Sequence, residues 1–138
     1  MNKIIRENIK TPYSLHDMNI IDFQVNNDTV ILKTQSGMVK TTQSYKQVDG
    51  YIEFRDVDWD FCYIYLLGVT GNTGKFNGKK LFLKDFLENA RSFGFSVIDE
   101  TFGYNLTKMN GYIMFNRQHY ECIVEIYHNG DMVYWVEE

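Results

Sequence analysis

Along most of the chain, apolar and polar residues alternate with a period of two, in short runs punctuated by Asn, Asp and Gly. That period sends successive side chains to opposite faces of an extended backbone, so it predicts half-buried strands. Residues 20–25 carry Ile21, Phe23 and Val25 on one face, Asn26-Asn27-Asp28 turns, and residues 29–34 return with Val30 and Leu32 aligned. After a break at Gln35-Ser36-Gly37, residues 38–48 form a more polar strand suited to an edge. Asp49-Gly50 predicts a hairpin into residues 51–54. Residues 59–69 are aromatic and β-branched, which places a long strand there in the sheet centre.

The period then changes. Leu83, Phe86, Leu87, Ala90 and Phe93 recur at helical spacing with charged residues between them, predicting an amphipathic helix over residues 82–93. Gly94 suits the left-handed residue that ends such a helix. Strands resume at residues 95–100 and 105–109, Asn110-Gly111 predicts a second hairpin into residues 112–115, and residues 119–127 alternate again. His128-Asn129-Gly130-Asp131 turns into a last strand over residues 132–136. Short connections make most pairs antiparallel, so the expected class is α+β: a twisted or partly closed antiparallel sheet of about eight strands with one helix packed on it. The single Pro, Pro12, marks residues 1–12 as a short N-terminal arm on one domain spanning residues 1–138.

Composition sharpens this picture in three places. Ten Tyr, ten Phe and two Trp favour strands, and they also supply the side chains that interfaces enrich. A net charge of −4 without a basic run argues against nucleic acid, because phosphate neutralisation needs clustered Lys and Arg. The two cysteines, Cys62 and Cys122, make no disulfide framework and sit in apolar runs, so both are expected as buried thiols. The apolar run at residues 61–69 is far short of the ~20 residues of a spanning helix, and residues 1–8 lack the apolar core of a signal peptide. No membrane partner and a cytoplasmic location are therefore expected.

Gly68-Val69-Thr70-Gly71-Asn72-Thr73-Gly74-Lys75 lies between a strand and a helix like a phosphate-binding loop. Five residues separate its outer glycines instead of four, and Phe76 stands where the hydroxyl for magnesium belongs, so nucleotide hydrolysis is rejected. Asp56-Val57-Asp58-Trp59-Asp60 would, if extended, set three carboxylates on one face about 7 Å apart. It fails the calcium-loop pattern, with Phe61 and Leu67 at the glycine and glutamate positions. Asp56, Asp58, Trp59 and Asp60 are thus the candidate contact patch for a basic protein. His16, Asp17 and His119 are the candidates for the polar groups of a pocket. No clustered ligand spacing, nucleophile elbow or Cys-His signature is present, so no catalytic residue, metal or cofactor is assigned.

Ser14-Leu15-His16-Asp17-Met18-Asn19-Ile20-Ile21, followed by a strand, an Asn-Asn-Asp turn and a Val-Ile-Leu strand, resembles the opening of small bacterial β-rich domains that begin with a Leu-His-Asp segment. Some of those domains resemble immunity proteins that neutralise toxins. The resemblance implies a non-catalytic protein-binding module. The competing expectation is a barrel-like ligand-binding or enzymatic domain with a Tyr/Phe-lined pocket, and a third is assembly through an exposed edge strand such as residues 38–48.

Overall fold

The computed structural model describes residues 1–7, 10–68, 77–90 and 92–138. Its strands are β1 (Asn2–Ile5), β2 (Tyr13–Ser14), β3 (Asn19–Asn26), β4 (Thr29–Thr34), β5 (Met38–Lys40), β6 (Gln47–Val48), β7 (Gly50–Phe54), β8 (Tyr63–Leu67), β9 (Gly78–Phe82), β10 (Gly94–Gly103), β11 (Leu106–Phe115), β12 (Gln118–Tyr127) and β13 (Met132–Val136). A single α-helix, α1 (Leu83–Asn89), and a 3-10 turn at Trp59–Phe61 complete the described elements. Ten strands form one open sheet in the order β1-β13-β7-β4-β3-β10-β11-β12-β8-β9, and β2-β5-β6 form a second small sheet. The α+β class therefore holds, but the strand count is ten plus three and not about eight. No helix among the described residues is long and apolar enough to cross a membrane.

Turn chemistry explains three hairpins. Asn27 (φ 54°) turns β3 into β4, Asn105 (φ 56°) turns β10 into β11, and Asn116 and Arg117 (φ 51° and 62°) turn β11 into β12. Asn tolerates that left-handed conformation, and at Asn116-Arg117 both loop residues adopt it, the geometry that matches the right-handed twist of the joined strands.

The large sheet is two five-stranded halves. Among the described residues their strands pair only where Phe95 and Ser96 of β10 meet Ile20 and Asn19 of β3, and Val97 extends the junction through backbone bonds with Asp17 and Met18. Inward residues of both halves nevertheless belong to one core, Ile20, Leu32, Ile52, Phe54 and Tyr134 from one half with Val97, Met109, Val124 and Ile64 from the other. The sheet thus folds over on itself. The small sheet fits against it through Tyr13, whose ring lies 5.3 Å from that of Tyr134. Helix α1 buries Leu83 and Phe86, and Phe86 meets Phe93 and Phe115 at 5.5 and 5.3 Å. Each such buried side chain contributes roughly 1.5–3 kcal/mol.

Several expected elements take another form. The helix stops at Asn89, because Ala90 is already extended, and Phe93 packs on Phe23 and Phe86 from the loop. Gly94 then opens β10 and does not cap the helix. Residues 38–48 split into β5 and β6, and Asp49-Gly50 leads from one sheet into the other. Residues 59–61 form the 3-10 turn, and β8 lies second from the sheet edge. A bulge between Ile20 and Asp22 turns Ile20 into the core and leaves Ile21 exposed. The phosphate-loop motif, apart from Gly68, lies outside the described residues, as does Arg91.

Asn110-Gly111 makes no turn. Both residues lie within β11, which runs unbroken from Leu106 to Phe115. Gly111 is there for room: a Cβ on it would collide with the Ser96 carbonyl oxygen and press on the Phe95 ring. Gly111→Ala should therefore lower unfolding free energy by about 3 kcal/mol, measurable as a shifted urea midpoint with unchanged slope. A loss within a few tenths of a kcal/mol would show that β10 yields freely.

Candidate functional site

The acidic segment lies where two connections cross. The chain between β7 and β8 meets the chain between β12 and β13, and Val57 and His128 form an isolated antiparallel bridge. Backbone bonds fasten the crossing: Val57 N–H to the Asp28 carbonyl at 2.7 Å, Asp58 N–H to Tyr127 at 2.9 Å, and Asn129 N–H to Asp56 at 2.9 Å. Asp56 is left-handed (φ 51°), so residues 56–60 are not an extended stripe. The Asp58 carboxylate caps the 3-10 turn by accepting the Asp60 N–H at 3.2 Å. The Trp59 indole N–H donates to the Asn27 carbonyl at 2.9 Å and ties the β3–β4 turn to the crossing.

This arrangement brings four aspartates to one hollow. Asp28, Asp56, Asp58 and Asp60 line a hollow of about 320 Å³ together with Val57, Trp59 and Asn129. Asp28 comes from a hairpin remote in sequence, and no sequence signal tied it to the other three. Among the described residues no Lys or Arg lines the hollow and none of its carboxylates sits in an ion pair. The nearest cation on Trp59 is Lys84, 5.9 Å from the ring. Among the described residues no three His, Cys, Asp or Glu side chains are grouped to hold a metal ion. A cluster of carboxylates open to solvent without its own cations attracts basic groups at long range.

The pocket candidates do not converge. His16 is exposed and its Nδ1 lies 3.1 Å from the Asp17 carboxylate. His119 is exposed on β12, opposite Met114 of β11. Neither the acidic hollow nor the larger hollow beside α1 includes any of the three. Both thiols are buried, and burial pushes Cys62 up to about 11 and Cys122 up to about 12, so neither supplies a thiolate at neutral pH.

A polar group in the interior escaped the reading of the sequence. The β10 bulge between Val97 and Asp99 reverses the alternation, so Glu100 and Phe102 face inward where a regular strand would face them out. Glu100 accepts the Leu15 N–H at 2.6 Å, and burial raises its pKa above the ordinary carboxylate value. The Arg6 guanidinium lies 4.3 Å from the Phe102 ring. His128 is buried, with Nε2 3.1 Å from the Thr107 hydroxyl and Nδ1 3.0 Å from the Gly130 carbonyl. Burial lowers its pKa below 6.5.

Comparison of the chain with protein-family models, curated proteins and solved structures gives no match.

His128 predicts a pH dependence. Its imidazole binds protons less readily folded than unfolded, so its neutral form is tolerated above pH 6.5 and stability falls as the pH drops below that value. One such proton sets a slope of up to about 1.4 kcal/mol per pH unit. Glu100 acts with the opposite sign, favouring the fold at lower pH. His128→Gln should be less stable at pH 7 yet lose part of the decline between pH 7 and 5. Equal slopes for the two proteins in urea titrations would refute this account of His128.

Proposed function

We propose that the chain is a non-catalytic protein-binding module that receives a basic segment of another protein at the acidic crossing. The single observation that carries the reading is the meeting of Asp28, Asp56, Asp58 and Asp60 in one hollow without a lining cation. Such a site steers a cationic partner and accepts Arg or Lys once the two surfaces meet. Trp59, held by its indole N–H, supplies a fixed wall with little conformational freedom left to lose on binding. The backbone bonds between the two connections hold the carboxylates' main chain in place before a partner arrives. On this reading the chain is a cytoplasmic bacterial protein of the immunity type, in keeping with the resemblance of residues 14–21. Dispersed histidines and protonated thiols support a binding role over a catalytic one.

The test replaces all four carboxylates with Asn. Asn keeps the cap at position 58 and tolerates the left-handed backbone at position 56, so folding stability should change by less than about 1 kcal/mol. A partner captured by the wild-type chain should bind the variant at least about tenfold more weakly, and wild-type binding should fall steeply with salt. Equal retention of the same protein by both chains, at low and high salt, would remove the acidic hollow from the reading.

A further inference from the structure

Strand β9 ends the large sheet, with β8 as its only partner among the described residues. An end strand presents unpaired N–H and C=O groups along its free side, a template on which an extended segment can pair. The free side of β9 has unusual surroundings. Leu66 of β8 faces the core, so Lys79, its direct partner, and Leu81 project to the helix side of the sheet, while Lys80 and Phe82 project to the other. On the helix side lies a hollow of about 700 Å³ with Leu66, Leu81, Phe86 and Phe115 as its apolar surface. Lys79 and Arg117 stand in its lining against one carboxylate, Asp85. On the opposite face the Lys80 ammonium sits 4.1 Å from the Tyr63 ring and Phe82 is 49% exposed. The other end strand, β1, offers no such bias: the hollow beside it carries Glu7 and Lys10 together.

We propose that the free side of β9 docks an extended acidic segment of a partner protein, which pairs as an additional strand and lays apolar side chains into the hollow beside α1. Lysines on an end strand repel most strands that approach it, including a second copy of the same strand. An acidic strand turns that repulsion into attraction, so the same residues select the partner. Carboxylates of the segment meet Lys79 and Lys80, and its apolar residues meet Leu81 and Phe82. Since the whole chain carries a net charge of −4, an acidic segment gains nothing from the overall field. Its capture has to come from these local cations. This site differs in sign and place from the acidic hollow, so it stands or falls independently of the function proposed above.

The experiment uses the full chain and a short labelled peptide with a Val-Val-Glu-Glu centre, with a Val-Val-Lys-Lys peptide as the control. Fluorescence anisotropy gives affinity, and amide hydrogen exchange locates the contact. The acidic peptide should bind more tightly than the basic one and slow exchange at residues 78–82. Lys79→Glu combined with Lys80→Glu should weaken it about tenfold or more and favour the basic peptide instead. The variant with Asn at positions 28, 56, 58 and 60 should still bind the acidic peptide. The proposal is overturned if residues 78–82 gain no protection, or if the charge reversal leaves the peptide preference unchanged. Protection of residues 78–82 that rises with protein concentration in the absence of peptide would also overturn it, assigning β9 to a second copy.

Discussion

A ten-stranded sheet joined at its middle through two residue pairs needs a second tie to close over a core, and the Val57–His128 bridge is that tie. The β7–β8 and β12–β13 connections each carry the chain from one half of the sheet to the other. Where they cross, the backbone bonds of Val57, Asp58 and Asn129 lock one connection to the other and to the β3–β4 turn. The inward faces of both halves then fall into one hydrophobic cluster. The acidic hollow follows from the same geometry, since Asp56, Asp58 and Asp60 lie on one crossing connection and Asp28 on the turn bonded to it.

The interior shows what this closure brings with it. Once the halves face each other, whatever the β10 bulge turns inward has to find a place between them. Glu100 finds the Leu15 N–H, and Arg6 reaches over Phe102 at 4.3 Å. Arg6 Nε and Glu100 Oε2 are buried without a hydrogen-bond partner among the described residues. Buried charge without full pairing weakens a fold compared with an apolar core of the same shape. It also specifies register, because sliding β10 by one residue would carry the Glu100 carboxylate away from Leu15. His128 obeys the same logic at the crossing itself, neutral and bonded on both ring nitrogens.

The period-two pattern was legible in several regular strands but not in β9, which pairs evenly with β8 yet lies between the loop and the helix that the sequence predicts. Residues 29–34 form β4 as expected, and residues 119–127 lie within β12. It misled at irregularities that only tertiary contact creates. A bulge exchanges Ile20 for Ile21 in the core, another brings in Glu100, and neither leaves a mark in composition or spacing. Asn110-Gly111 has the chemistry of a hairpin turn, but the close approach of β10 explains the glycine in the middle of a strand. The apolar face of the helix was visible, and its length was not, because Phe93 reaches the same cluster from the loop after the helix. For the site, Asp56, Asp58, Trp59 and Asp60 were visible as a patch. Asp28 was not, because it joins them through the crossing, and Trp59 proves to be fastened by its own N–H.

Charge gives the molecule a direction that net charge hides. A value of −4 describes neither the crossing, where four carboxylates meet without a lining cation, nor the β9 side, where Lys79, Lys80 and Arg117 outnumber Asp85. The two regions are joined by β8 and its neighbours: the 3-10 turn carrying Asp60 packs beside β9, and β9 runs from its lysines at one end to Phe82, the direct partner of Tyr63, at the other. The two regions approach each other at Lys84, whose ammonium lies 5.9 Å from the Trp59 ring. A small acidic domain can in this way present both signs of charge on one sheet, and the crossing that ties its two halves also sets where the acidic side lies.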